Sequence, residues 1–156
     1  MYQIQEQLKK EELLDTKFSV ALHILAYISE TSRQVSSEAL AQSVGTNASY
    51  IRKVVALLKR ADLIVSHQGK TGYQLTRLPE EISLLDIYRA TQEVEQIRLF
   101  HTHQQPNQAC PVGKHIEQAI SPLFAKVERQ LELELAHQTL AQVIANLYQS
   151  AGQQSV

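Results

Sequence analysis

Along most of this chain apolar residues recur at intervals of three and four, the spacing that gathers them on one face of a helix. A single stretch near the middle alternates instead with the period of a strand. Phe18, Ala21, Leu22, Leu25, Ala26 and Ile28 predict a helix with one buried face, capped by Asp15 or Thr16. Ahead of it, residues 1–14 are rich in Gln, Glu and Lys with scattered apolar positions (Ile4, Leu8, Leu13), and read as a short helix or a mobile arm. Ser36 and Ser37 cap a second helix whose inner face is Ala39, Leu40 and Val44; Glu38 in its first turn suits the helix dipole, and Gly45 ends it. Asn47 caps a third helix that runs to about Ala61 with Ile51, Val54, Val55 and Leu58 inward.

The alternating stretch follows at once. Leu63, Ile64 and Val65 favour a strand, Gly69-Lys70-Thr71-Gly72 has the chemistry of a turn, and Tyr73, Leu75 and Leu78 resume the alternation, which together predict a β-hairpin. Pro79 ends it, and Ile82–Gln92 reads as a short helix through Leu84, Leu85, Ile87 and Tyr88. Residues 101–113 read as loop. Ile116, Ile120, Leu123, Val127 and Leu131 then mark a long helix, with a break or kink expected at Pro122, whose ring removes one backbone bond and crowds the preceding turn. Thr139 caps a last helix, Leu140–Gln149.

The connection between the second and third helices is too short for them to run side by side, so they cross steeply, as in a helix-turn-helix. Ala41-x3-Gly45-x5-Ile51-x2-Val54 carries this reading: a small residue lets the helices approach, the glycine accepts a positive φ, and two β-branched residues lock the third helix onto the second. A hairpin directly after such a pair is a wing. The expected fold class is mainly α: a winged helix-turn-helix with a two-stranded β wing and a long C-terminal helix. The chain divides into an N-terminal arm or extension (1–14), the winged DNA-binding domain (15–92), a loop region (93–113) and a C-terminal helical dimerisation region (114–150).

Composition adds limits. With 156 residues, 44% of them hydrophobic, the chain can bury a core. It has no apolar run long enough for a membrane span and no secretory signal at its start, and its single cysteine suits a reducing compartment, so a cytoplasmic protein is expected. The net charge of −1 argues against a uniformly basic polyanion binder, yet the charge is unevenly spread. Residues 47–77 carry Arg52, Lys53, Lys59, Arg60, Lys70 and Arg77 against Asp62 alone, a net +5, while the flanks carry −2 and −4. A polyanion is drawn to that segment and repelled elsewhere.

A helix fits the DNA major groove, where each base pair shows a distinct pattern of donors and acceptors. The third helix carries Asn47, Ser49, Tyr50, Arg52 and Lys53 away from its apolar row. Ser49 and Arg52 are candidates to read base edges; Tyr50, Lys53 and Lys59 are candidate phosphate partners, as are the amides at the helix start near Asn47. Ser37 joins the DNA-contact candidates, and Lys70 and Thr71 at the wing tip are placed to reach the neighbouring minor groove.

TKFSVALHILAYIS, VSSEALAQSVGTNASYIRKVVALLKRADLI, the GKTGYQL wing, ISLLDIYRA, CPVGKHI and TLAQVI, in that order over about residues 14–145, resemble the Rrf-two family of bacterial winged-helix repressors. The resemblance implies a homodimer in which the long helix crosses its partner's counterpart, and a pseudo-palindromic operator. The apolar row Ile116, Ile120, Leu123, Val127 and Leu131 points to dimerisation independently, since an apolar helix of that length needs a cover; the alternative is a core helix within one chain. Three departures stand out. The family's wing often begins with an arginine, where this chain has Gln68-Gly69-Lys70. Asp62 replaces the glycine that usually ends the recognition helix. Members that hold iron–sulfur clusters do so with three clustered cysteines, and this chain has only Cys110, so no cofactor is expected.

Cys110 lies near Lys114 and His115 at a helix start, which can lower a thiol's pKa and make it a sensor; the alternative is an inert thiol in a turn. His101, His103, Cys110 and His115 are ligand types that suit zinc, but H-x-H-x6-C-x4-H matches no zinc pattern, so no metal is expected. A winged-helix interaction module without DNA contact is the alternative function. No phosphate loop, HExxH or GxSxG points to an enzyme.

Overall fold

The computed structural model describes the backbone of residues 2–31, 34–66 and 72–153 and the side chains of 16–31, 34–66 and 72–152. Its order is α1 (Tyr2–Glu30), α2 (Ser37–Val44), α3 (Ala48–Arg60), β1 (Ile64–Val65), β2 (Gln74–Leu75), a 3-10 turn (Pro79–Glu81), α4 (Leu84–Gln92), α5 (Pro111–His137) and α6 (Leu140–Gln153). The winged helix-turn-helix architecture is as the spacing predicts.

Some boundaries move. α1 is one continuous helix from Tyr2, so neither Asp15 nor Thr16 caps it, and of the two readings of the first segment residues 2–14 take the helical one, as part of α1 rather than as a separate short helix. Those residues are mostly Gln, Glu, Lys and Leu, strong helix formers, so extending the helix through them costs little. α5 likewise runs unbroken through Pro122. The proline ring is exposed, and in a 27-residue helix one missing backbone bond is outweighed by the turns on either side. α4 starts two residues later than the periodicity suggests because Ser83 closes a capping box: its Oγ accepts the Asp86 N–H at 3.0 Å and Asp86 Oδ2 accepts the Ser83 N–H at 3.1 Å. Thr139 Oγ1 accepts the Gln142 N–H at 3.4 Å at the head of α6, which extends to Gln153.

One core joins these elements. Ile24 and Leu25 of α1 pack with Leu40 of α2, Ile51, Val54 and Leu58 of α3, Ile64 of β1, Ile82 and Ile87 around α4, and Leu140 of α6, all buried. Each such aliphatic side chain contributes about 1.5–3 kcal/mol on burial. Phe18 meets Tyr88 edge-on at 5.5 Å between ring centroids. The α5–α6 junction is tied back to the winged domain by backbone bonds: the Leu84 N–H donates to Gln138 O and the Leu140 N–H to Ile82 O, both at 2.9 Å.

The wing is antiparallel, with Ile64 opposite Leu75 and Val65 opposite Gln74. Its base is stitched by Thr76, whose N–H reaches Leu63 O at 3.1 Å and whose hydroxyl reaches Asp62 O at 2.6 Å. Gly72 has φ +120, which favours glycine, and a Cβ there would stand 3.2 Å from Val35 N, so a side chain would push on the segment ahead of α2. Between α4 and α5, the connector lies along α5 and is held by carboxylates one turn apart: Glu132 accepts the Ile97 N–H at 2.7 Å, and Glu128 accepts those of Leu99 and Phe100 at 3.1 and 3.2 Å.

Candidate nucleic-acid interface

The turn that presents α3 is fixed by three local devices. Ser36 Oγ caps α2 by accepting the Ala39 N–H at 3.1 Å. Gly45 closes α2 with φ +83, its N–H on Ala41 O at 2.9 Å. Asn47 Oδ1 caps α3 by accepting the Tyr50 N–H at 2.8 Å. Asp62, with φ +55, takes the left-handed position that ends the helix, which a short polar side chain tolerates.

All four predicted inward residues of α3, Ile51, Val54, Val55 and Leu58, are buried. Asn47, Ser49, Arg52, Lys53, Lys59 and Arg60 are exposed on the other side. The cations differ in how they are engaged. Arg60 is paired with Glu93 at 2.7 Å, and Lys59 donates to Ser66 Oγ at 2.7 Å. Arg52 reaches Glu38 across the helix-turn-helix at 3.5 Å, with both side chains more than half exposed. Such a pair is worth at most about 1 kcal/mol and yields readily to a phosphate or base. Lys53 has no partner among the described residues. Arg52, Lys53 and Ser49 are thus the side chains freest to meet a ligand. The Arg52–Glu38 and Lys59–Ser66 contacts were not read from the sequence, since they join residues on different elements.

Two candidates turn the other way. Ser37 is buried with its Oγ 3.0 Å from the Tyr73 hydroxyl, so it ties α2 to the wing; Ser36 alone caps the helix. Tyr50 packs its ring against the core, and its hydroxyl is buried without a hydrogen-bond partner. Burial pushes the phenol's pKa up. Tyr50 sits one position from Ile51 at the edge of the apolar row, which removes it from the phosphate partners proposed on pattern alone. Lys70 and Thr71 lie outside the described residues.

A family model described as "Rrf2: Iron-dependent Transcriptional regulator" matches residues 14–146. The chain belongs to the Rrf2 (Rrf-two) family. A Bacillus subtilis (strain 168) protein named as an HTH-type transcriptional regulator, YwnA, is 42% identical over 136 residues, which are 87% of this chain and all of that protein. A crystal structure described as a DNA binding protein is 38% identical, with a TM-score of 0.67 over 82% of this chain and 98% of the other. CymR, the global cysteine regulator of B. subtilis, shares the fold at 21% identity, with a TM-score of 0.62 over 83% of this chain and 94% of its own. The α1 extension ahead of residue 14 lies outside the Rrf2 match.

The iron in the family description finds no ligand set here. The chain has one thiol, and among the described residues no group of three His, Cys, Asp or Glu side chains is placed to hold a metal ion. His101, His103 and His115 are exposed and are not drawn together with Cys110. Cys110 is half-buried at the N-cap of α5, and the Gly113 and Val112 N–H groups pull its thiol pKa down.

On α5, Leu123 and Val127 are 62% and 53% exposed, and Ile116, Ile120 and Leu131 are half-buried. No element of the described chain covers this row fully. Among the described residues no helix is long and apolar enough to cross a membrane.

Proposed function

We propose that this DNA-binding transcription regulator acts in the cytoplasm as a homodimer, most simply as a repressor, on a pseudo-palindromic operator. The observation that carries the reading is the outward face of α3: Ser49, Arg52 and Lys53 exposed and lightly engaged, on a helix whose entry is fixed by Gly45 and Asn47. Arg52 and Ser49 meet base edges in the major groove, with Arg52 suited to a guanine. Lys53 and the amides at the start of α3 take phosphates, and Lys59 joins them by leaving Ser66. Lys70 and Thr71 extend the contact into the minor groove.

The dimer forms through Ile116, Ile120, Leu123, Val127 and Leu131 of α5. Two α3 helices held by a two-fold axis meet half-sites one helical turn, about 34 Å, apart. Relatives named as transcriptional regulators support a non-enzymatic role.

The test is selection of bound fragments from the source chromosome by the full-length protein, followed by gel shift of the recovered sites. The reading predicts fragments that share an inverted repeat, with binding that weakens steeply as salt rises, because phosphate contacts release counterions. Recovery of no common site, or binding indifferent to salt, would leave an interaction module as the better account.

A further inference from the structure

Among the described residues of α5 only Glu128 is buried, with a side chain 6% exposed. Its two oxygens are treated unequally. Oε1 takes both connector N–H groups, from Leu99 and Phe100. Oε2 has only Arg98 Nη1, at 3.6 Å, beyond hydrogen-bond length. Oε2 is thus held only by this longer ion pair and keeps acceptor capacity, which a cation at the site meets with a charge-assisted bond. Arg98 is itself 64% exposed and held at its other end only by Gln96 Oε1, at 2.9 Å. Its guanidinium keeps free N–H groups in the fork geometry that matches a carboxylate.

These two charges stand at a cavity of about 200 Å³ between the connector and α5. Phe100 and Phe124 form one wall, with ring centroids 5.0 Å apart. Thr102 and Ser121 line it with hydroxyls that have no hydrogen bond among the described residues. The volume is below that of pockets for drug-sized ligands and suits a small metabolite. At about 100° per residue, Ser121 and Glu128 lie roughly a third of a turn round α5 from Leu123 and Val127, while Phe124 stands beside Ile120 and Leu131, so the cleft borders the apolar row.

We propose that this cleft binds a small α-amino acid with an apolar side chain. The anion and cation of the site are neighbours, and so are the ammonium and carboxylate of an α-amino acid. The ammonium takes Glu128 Oε2, the carboxylate takes the Arg98 fork with the Thr102 and Ser121 hydroxyls at hand, and the side chain lies on the Phe100–Phe124 wall. The ligand then bridges the connector, which leaves the winged domain after α4, to α5. Binding itself does not depend on the DNA reading.

The test is isothermal titration calorimetry of the full-length protein with L-valine, L-leucine and L-methionine, each beside its N-acetyl derivative and its amide. The proposal expects at least one free amino acid to bind with a Kd below about 1 mM, and both of its blocked forms to bind at least about tenfold more weakly, because each loses one of the two charges. Arg98→Gln, which leaves the Glu128 clamp on Leu99 and Phe100 in place, should weaken binding at least about tenfold with at most the small loss of melting temperature that an exposed ion-pair partner carries. Failure of all three amino acids to bind would overturn the proposal. So would equal binding of a blocked form, or full affinity in Arg98→Gln.

Discussion

α3 and α5 are both amphipathic, yet the chain disposes of their faces in opposite ways. The apolar row of α3 is covered by α2, α4, α1 and the wing, and what remains outside is largely cationic. In α5 a glutamate is buried, while Leu123, Val127 and Leu133 stand about half exposed or more. The first helix is finished as a surface and needs only a polyanion. The second leaves apolar side chains in solvent within the single chain. Charge on a satisfied helix points to a ligand, and apolar surface on an unsatisfied one points to a second protein face.

The strongest way to break this contrast is to charge the open face. Leu123→Glu combined with Val127→Glu should leave the monomer folded, since both positions are already exposed, and raise the dimer dissociation constant by roughly 100-fold or more through buried unpaired carboxylates. Sedimentation across a concentration series would read the change. A dimer of undiminished affinity would mean that α5 is not the interface.

A smaller effect is expected on α3. Arg52→Ala should cost about 1–3 kcal/mol of operator affinity and relax the preference for one base pair, while thermal melting and dimerisation stay as in wild type. Anisotropy titrations on a site and its single-base variants measure both quantities. Equal affinity would return Arg52 to the solvated surface.

Gly45 tests the device that aims α3. Nothing lies within 4 Å of a Cβ at this position, so Gly45→Ala meets no clash and should lose only the conformational term, about 1–2 kcal/mol in chemical denaturation. A loss well beyond that would show that the turn moves.

The smallest effect concerns the connector. The Phe100 N–H, with the Leu99 N–H and Arg98, holds the Glu128 carboxyl below its ordinary pKa. A depressed folded pKa contributes stability above the unfolded value of about 4.3, and that contribution is lost as pH falls through the folded value. The melting temperature of wild type should therefore exceed that of Glu128→Gln at neutral pH, with the gap closing below about pH 4. A gap independent of pH would mean that the carboxylate's charge is not what secures the connector.

The parts of this protein legible in the sequence are those decided locally. Ser36, Gly45 and Asn47 act within four residues of themselves, so the caps and the turn could be named in advance, and so could the inward row of α3. Asp15 and Thr16 look like caps but sit inside α1, because a cap signal loses to a run of strong helix formers ahead of it. Tyr50 and Ser37 lie at the edges of their helices' apolar rows, where neighbours from other elements decide which way a side chain turns; Tyr73, thirty-six residues away, claims Ser37. Glu128 carried no local signal, since its partners are backbone groups on the connector nearly thirty residues earlier.

The proposed regulation requires contact between the outward face of α3 and the phosphates and bases of a duplex. Its most direct test is the salt dependence of binding to a recovered operator, wild type against Lys53→Ala. If Lys53 holds one phosphate in each protomer, the slope of log K against log salt should be steep in wild type and shallower by about two in the variant dimer. Superimposed slopes would contradict the placement of this helix face on DNA.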